Sequence, residues 1–324
     1  MSFKYLGYYV VFFFILSLYS KPSNSQTIFS KDVSNFWLAY ERIHKSNSYE
    51  EQLYIIRTNY LDIGTYGLKE LCRIMKYSDS AYVNAILHYP KFWNSLRKKT
   101  ESIESDKNDI RKHLENFKRL YPHSQPANLY LCIGLGNSGG KPLNKDLVIG
   151  LELALADSTI NTSEYQSQRK KDYYRNAESG GIEFVAIHEY VHTQQKSIVN
   201  NNVLKNSIYE GACDFIAELV IGKLINLKYI RYGYENYTTV LELFRQDLLS
   251  TNFDDWFHNH NVSTIKDLGY FIGYDVCKNY YENAVNKKEA VKEIIELDYE
   301  DNDAVLRFLN DSRIFKDKIE NRVD

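Results

Sequence analysis

Two helix-patterned blocks flanking a short β-friendly stretch predict one predominantly helical α+β domain with a small antiparallel sheet. The first block runs from residue 30 to about 121. Apolar residues recur there at helical spacing in "DVSNFWLAYERI", "SYEEQLYIIRTNYL", "LKELCRIMKY" and "NDIRKHLENFKRLY", until Pro122 and Pro126 end the run. "NLYLCIGL" and "DLVIGLELAL" are short and apolar, and "GNSGGKPLNK" between them reads as the turn joining two antiparallel neighbours. From about residue 180 helical periodicity returns, through "SIYEGACDFIAELVIGKLI", "YTTVLELFRQDLL" and "DLGYFIGYDVCKNYYENAV". No repeat of fixed period is present.

The chain has 324 residues and 44% hydrophobic content, enough for one large domain or two small ones. With only 5 Pro and 15 Gly it is not a linker-rich or disordered protein. Residues 1–25 read as an export signal: Lys4 starts it, "YLGYYVVFFFILSLY" is its apolar run, and "SNSQ" offers small residues for cleavage near Ser25. That run is short for a membrane span, which takes about 20 residues. The expectation is an exported protein, periplasmic, extracellular or at the cell surface, with no transmembrane span after cleavage. An uncleaved anchor is the alternative. Residues 26–127 then form a helical N-terminal region, continuous in one domain with residues 128–324.

Cleavage leaves 38 basic residues against 42 acidic ones, a balance that points away from nucleic acid and anionic membrane surfaces as partners. Cys72, Cys132, Cys213 and Cys277 lie far apart. Export permits disulfides, but four thiols allow three pairings and the spacing chooses none. None has CxxC spacing, which argues against a cysteine zinc site and for buried free thiols.

"GLGNSG" (Gly134, Gly136, Gly139) fits a phosphate-cradling G-x-G-x-x-G after a strand. The mechanism needs a helix to begin at the last glycine, so that its amides meet the phosphate. Gly140 and Pro142 follow instead, then a second strand, so the motif reads as a loop with no bound cofactor.

The chemistry lies in "GGIEFVAIHEYVHTQQ", residues 180–195. His188 and His192, four apart, share one helix face and can aim two imidazoles at one point. Glu189 is rotated about one hundred degrees from His188. In H-E-x-x-H sites that offset puts a carboxylate beside the metal's open position, where it serves as general base. Ile182, Val185, Ile187, Tyr190 and Val191 make the segment apolar, and buried histidines there need partners. Two histidines on an ordinary surface helix are the competing reading.

A second segment supplies a third ligand. Zinc in catalytic sites takes three protein ligands, His₂Glu being one set. Eighteen positions beyond His192, "YEGACDFIAEL" carries Glu210, Asp214 and Glu218 on one stripe of an otherwise apolar helix. Acidic groups repeated every four positions among Ala212, Phe215, Ile216, Leu219 and Val220 are costly without cations or donors. We assign Glu210 as third ligand and Asp214 as the carboxylate orienting a liganding histidine through its other ring nitrogen. Asp214 or Glu218 as the ligand, or a solvated acidic face, are the competing readings. Gly211 and Ala212 are small enough for this helix to approach the histidine helix closely.

"HEYVH" followed by "EGACDF" resembles the gluzincin type of zinc metallopeptidase. It is more closely similar to a bacterial family of predicted exported Zn-dependent proteases, in which an H-E-x-x-H helix is followed by an E-G-x-x-D-F helix. "GGK…LVIGLELAL" ahead of the first motif and "GYFIGY" (269–274) after the second belong to the same likeness, which spans roughly residues 128–285. The resemblance implies a zincin-like fold with the sheet beside the H-E-x-x-H helix, Zn²⁺ held by His188, His192 and Glu210, Glu189 as base, Asp214 supporting a histidine, and a peptide or protein substrate. The seventeen residues between His192 and Glu210 are slightly fewer than in the best-known gluzincin subgroups.

A tyrosine or histidine from another element usually stabilises the oxyanion in such chemistry. "LGYFIGYDVCKNYY" offers Tyr270 and Tyr274, and Tyr209 precedes Glu210. Tyr274 is the candidate, although with 28 tyrosines a structural role is the default for each. His258 and His260 in "WFHNHN" read as loop residues. Residues 146–154 are the expected strand for an extended substrate. The function expected is a secreted zinc metallopeptidase. The alternatives are a non-catalytic exported binding or surface-machinery protein with a structural zinc site, and a zinc hydrolase of another amide. An intact Glu189 favours an enzyme.

Overall fold

A computed structural model describes residues 26–175, 180–224, 226–257 and 267–315. The signal segment 1–25, His258 and His260 lie outside the described residues. The fold is α+β and mostly helical, at 64%.

The first helical block comprises α1 (Lys31–Lys45), α2 (Tyr49–Ile56), α3 (Tyr66–Met75), α4 (Asp79–His88), α5 (Pro90–Lys99) and α6 (Ile103–Leu120). Side chains of Ser48, Thr65 and Ser78 accept backbone N–H groups at the starts of α2, α3 and α4, supplying the acceptors a first helical turn lacks. Helix α1 buries Val33, Phe36, Trp37, Tyr40 and Ile43, a stripe at helical spacing. Phe36 packs against the rings of Tyr60, Tyr82 and Trp93. Tyr60 and Tyr82 then donate to the Ile133 carbonyl at 2.6 and 3.0 Å, which ties this block to the sheet.

The sheet differs from the antiparallel pair expected. It has four strands in the order β1 (Ile28–Phe29), β2 (Leu129–Cys132), β4 (Asp146–Gly150) and β3 (Gly140–Leu143). β1, β2 and β4 are parallel, and only β3 runs antiparallel, to β4. The helices α1–α6 form the long crossover that parallel β1 and β2 require. After β2 the chain passes the place β4 will take, forms β3, and reverses at Asn144–Lys145, with Asn144 in the left-handed region (φ 55°). The sheet is therefore mixed. Its third strand hides in "GGKPLNK", where Gly and Pro suppress any strand signal. Residues 146–154 are not an edge: β4 lies between β2 and β3, and Leu151–Ala154 form the short helix α7. The edge strand in contact with the histidine helix is β3.

The second block contains α8 (Gln168–Arg175), α9 (Ile182–His192), α10 (Val203–Ile221), α11 (Lys228–Glu235), α12 (Tyr237–Asp247), α13 (Leu268–Asn283), α14 (Lys287–Ile295) and α15 (Asn302–Ser312). Helix α9 buries Ile182, Phe184, Ala186, Ile187, Tyr190 and Val191 on several sides, so it is a core helix rather than a surface one. Asn202 caps α10 by accepting from the Lys205 N–H at 2.9 Å. Gly211 of α10 meets α13 rather than α9: a Cβ there would stand 2.0 Å from the Tyr274 nitrogen, and one on Gly273 1.6 Å from the Ser207 carbonyl. The two helices touch backbone to backbone, which only glycine permits. The N-terminal helices reach this block through Asn116, which donates to the Val220 carbonyl at 3.2 Å, and His113, 2.9 Å from Glu183. No described helix is long and apolar enough to cross a membrane.

Candidate metal centre

His188 and His192 stand one turn apart on α9, their rings 4.9 Å apart and nearly perpendicular. Both Nδ1 atoms are engaged. His188 Nδ1 donates to Asp214 Oδ1 at 2.8 Å, and Asp214 Oδ2 accepts from the Tyr229 hydroxyl at 2.8 Å. His192 Nδ1 donates to Gln195 Oε1 at 2.8 Å, and the Gln195 amide is oriented by its own bond to the Tyr209 carbonyl at 2.9 Å. These bonds set the tautomers and leave Nε2 of each ring as the face available to a cation. Both Nε2 atoms point at one oxygen: Glu210 Oε2 lies 3.4 Å from His188 and 3.3 Å from His192.

Electrostatics follow this geometry. Burial opposes a charge on Glu210, but the His192 and His188 imidazoles hold its carboxyl well below the usual range. Burial likewise opposes a charge on His188, and the bonds to Asp214 and Glu210 outweigh it and raise its pKa. Glu189 has its pKa raised by burial. A Cβ on Gly140 of β3 would lie 2.4 Å from Glu189 Cγ and 2.5 Å from Oε1, so the edge strand packs directly on this carboxylate and any side chain there would push it aside.

A buried cluster of His188, His192 and Cys213 could also hold a metal ion. The Cys213 sulfur is 3.3 Å from His192 Nδ1 and 3.4 Å from Gln195 Oε1. It meets the nitrogen already given to Gln195, on the other side of the ring from Glu210. Burial, with Glu210 and Asp214 nearby, pushes its thiol pKa well above the ordinary value. All four cysteines are free.

The structure thus brings together His188, Glu189, His192, Glu210 and Asp214. It separates the third acidic residue of the stripe: Glu218 accepts from the Tyr274 hydroxyl at 2.8 Å and lies 3.7 Å from Lys278. Tyr274 is committed to that pair, with Lys278 donating to its hydroxyl at 3.1 Å. The tyrosine beside the histidines on α13 is Tyr270, whose ring lies 6.3 Å from that of His188. Burial, and then the carboxylates of Glu210, Asp267, Asp214 and Glu189, raise its pKa well above the usual value. Tyr209 stacks on His192 with ring centres 4.6 Å apart.

Gln195, Tyr229, Gly140 and the Cys213 contact escaped the sequence reading. Gln195 alone carried a local signal. It stands three residues past His192, and the backbone bond from its N–H to the Val191 carbonyl continues the helical turn.

The "GLGNSG" loop is closed from within: Gly134 and Gly136 donate their N–H groups to Glu152 at 2.7 and 2.8 Å. No family model, curated protein or solved structure matches the chain.

Proposed function

We propose that the protein is a metal-dependent hydrolase and, within that class, an exported zinc metallopeptidase of the gluzincin type. The observation that carries this reading is the placing of Glu210 Oε2 at 3.3 and 3.4 Å from the two Nε2 atoms. Ligand atoms around a tetrahedral ion with bonds of about 2.0–2.1 Å lie about 3.3–3.4 Å apart. The two separations from Glu210 to the imidazoles therefore match those of a tetrahedral zinc site, whereas a set with Cys213 in contact with His192 Nδ1 would give up the bond between His192 and Gln195.

His188, His192 and Glu210 would hold the ion, and Asp214 and Gln195 keep the two imidazoles aimed at it. Bound zinc supplies a Lewis acid and brings the pKa of water to about 7. Glu189, whose proton affinity burial raises, would take a proton from the attacking water as its oxygen bonds to the carbonyl carbon, and return it to the amine nitrogen as the C–N bond breaks. We place Tyr270 rather than Tyr274 as donor to the developing oxyanion, because Tyr274 is held by Glu218 and Lys278. An extended substrate would lie along β3, beside Glu189.

The test is zinc stoichiometry on purified residues 26–324, paired with a mixed peptide library. One zinc per chain and cleavage that a chelator abolishes are expected. A chain that binds no zinc, or cleaves no peptide with zinc bound, refutes the peptidase.

A further inference from the structure

The register of β3 decides which of its backbone groups look outward. The Gly150 N–H donates to the Gly139 carbonyl at 3.1 Å. From there Gly140 stands opposite Ile149, Lys141 opposite Val148, and Pro142 opposite Leu147. In an antiparallel ladder, opposed residues alternate between exchanging both backbone bonds and exchanging none. Lys141 and Leu143 therefore bond to β4, while Gly140 and Pro142 turn their backbone polar groups to the open side. A proline fits a strand only on such a side, since it has no N–H to give.

The open edge is consequently short. The Gly140 carbonyl already accepts from Ser138 Oγ at 2.7 Å, the chain bends before Gly140, and it reverses after Leu143. One outward N–H remains, that of Gly140, next to Glu189. The next donor of a continued ladder would stand two residues on, about 6.6–6.8 Å away, where the Pro142 ring sits.

We propose that Pro142 cuts the strand-adding edge to a single donor, the Gly140 N–H, followed by the Pro142 carbonyl alone, so that the site takes short peptides gripped at Gly140 rather than long extended chains. This rests on the peptidase reading and names its substrate class. The competing role for Pro142 is to blunt an exposed edge against self-association.

The experiment uses nested, internally quenched peptides from tetrapeptide to decapeptide. They are built outward, separately at each end, from the bond cleaved best in the mixed library. With the zinc-loaded mature chain, kcat/KM is expected to stay level as either end is lengthened past the shortest cleaved peptides. Pro142→Ala adds an outward N–H and leaves the bonds to β4 alone. It should lower KM for longer peptides by roughly 2- to 12-fold, the worth of one hydrogen bond, with the gain growing at one end only. Titrating the same peptides onto Glu189→Gln protein, with and without Pro142→Ala, reads the same gain as affinity without turnover.

A wild-type kcat/KM that climbs with every added residue overturns the proposal. So does a Pro142→Ala chain that dimerises in sedimentation velocity while handling all lengths as wild type does. If no peptide of any length is bound or cleaved, the peptidase reading fails first and takes this inference with it.

Discussion

Glu152 and Glu210 are carboxylates enclosed by the same core, yet they end in opposite states. Glu152 is met by two backbone N–H groups, from Gly134 and Gly136, and burial pushes its pKa up to about 7. Glu210 is met by two imidazole nitrogens and held well below the usual range. The amides around Glu152 are donors only, so that spot is complete and has no room for a ligand. With both Nδ1 atoms committed to Asp214 and Gln195, loss of the Nε2 protons that hold Glu210 ionised leaves three acceptors facing one point. Such a point calls for a proton or a metal cation between them. Burial and a displaced pKa are thus common to both places; convergent side chains distinguish the one that could hold a cation.

The contrast can be broken most severely at Glu189. Glu189→Gln should keep one zinc per chain by elemental analysis and lose about 100- to 10,000-fold in kcat/KM, the usual share of a general base. Equal activity would remove Glu189 from the reaction. Gly140→Ala comes next. Its methyl would displace the Glu189 side chain, whose end can move, so the fold and zinc content should hold while kcat falls about 100-fold. Unaltered kcat would show that β3 does not position this carboxylate.

Gln195→Ala removes the acceptor that holds His192, and Tyr229→Phe removes the hydroxyl that holds Asp214 against His188. Zinc affinity, measured by competition with a chelator, should weaken about 10- to 100-fold in each. If Gln195→Ala instead tightens zinc, Cys213 has become the ligand. At Glu152 the expected effect on zinc is nil and the effect on stability depends on pH. A carboxyl whose folded pKa is raised contributes stability that is full below its unfolded value, near 4.5, and lost as pH rises through about 7. Between about pH 4.5 and pH 8 chelator-treated wild type should lose about 3 kcal/mol relative to Glu152→Gln in denaturant titrations. A constant difference would mean that Glu152 stays charged throughout.

Much of the centre was legible because helices make spacing into geometry. His188, Glu189 and His192 share a turn, and Glu210, Asp214 and Glu218 recur every fourth residue, so periodicity alone put them on stripes. It could not say which carboxylate meets which partner. Asp214 goes to His188 and Tyr229, Glu218 to Tyr274 and Lys278, because α11 and α13 bring those partners from elsewhere in the chain. Tyr270 and Tyr274 likewise lie four apart, and only the seating of α13 on α10 at Gly211 and Gly273 separates one beside His188 from one bound to Glu218. β3 was invisible for another reason: four residues containing Gly and Pro carry no alternation to read, and their pairing with β4 is a tertiary fact.

By itself, then, the sequence determined the long helices and the two chemical stripes, since each depends on residues within one or two turns. The tertiary structure decided that the sheet is mixed, that β3 rather than β4 borders Glu189, and that Gln195 shares the orienting of the histidines with Asp214. Those outcomes depend on contacts between distant segments, where backbone approach and hydrogen-bond direction matter and linear order says nothing.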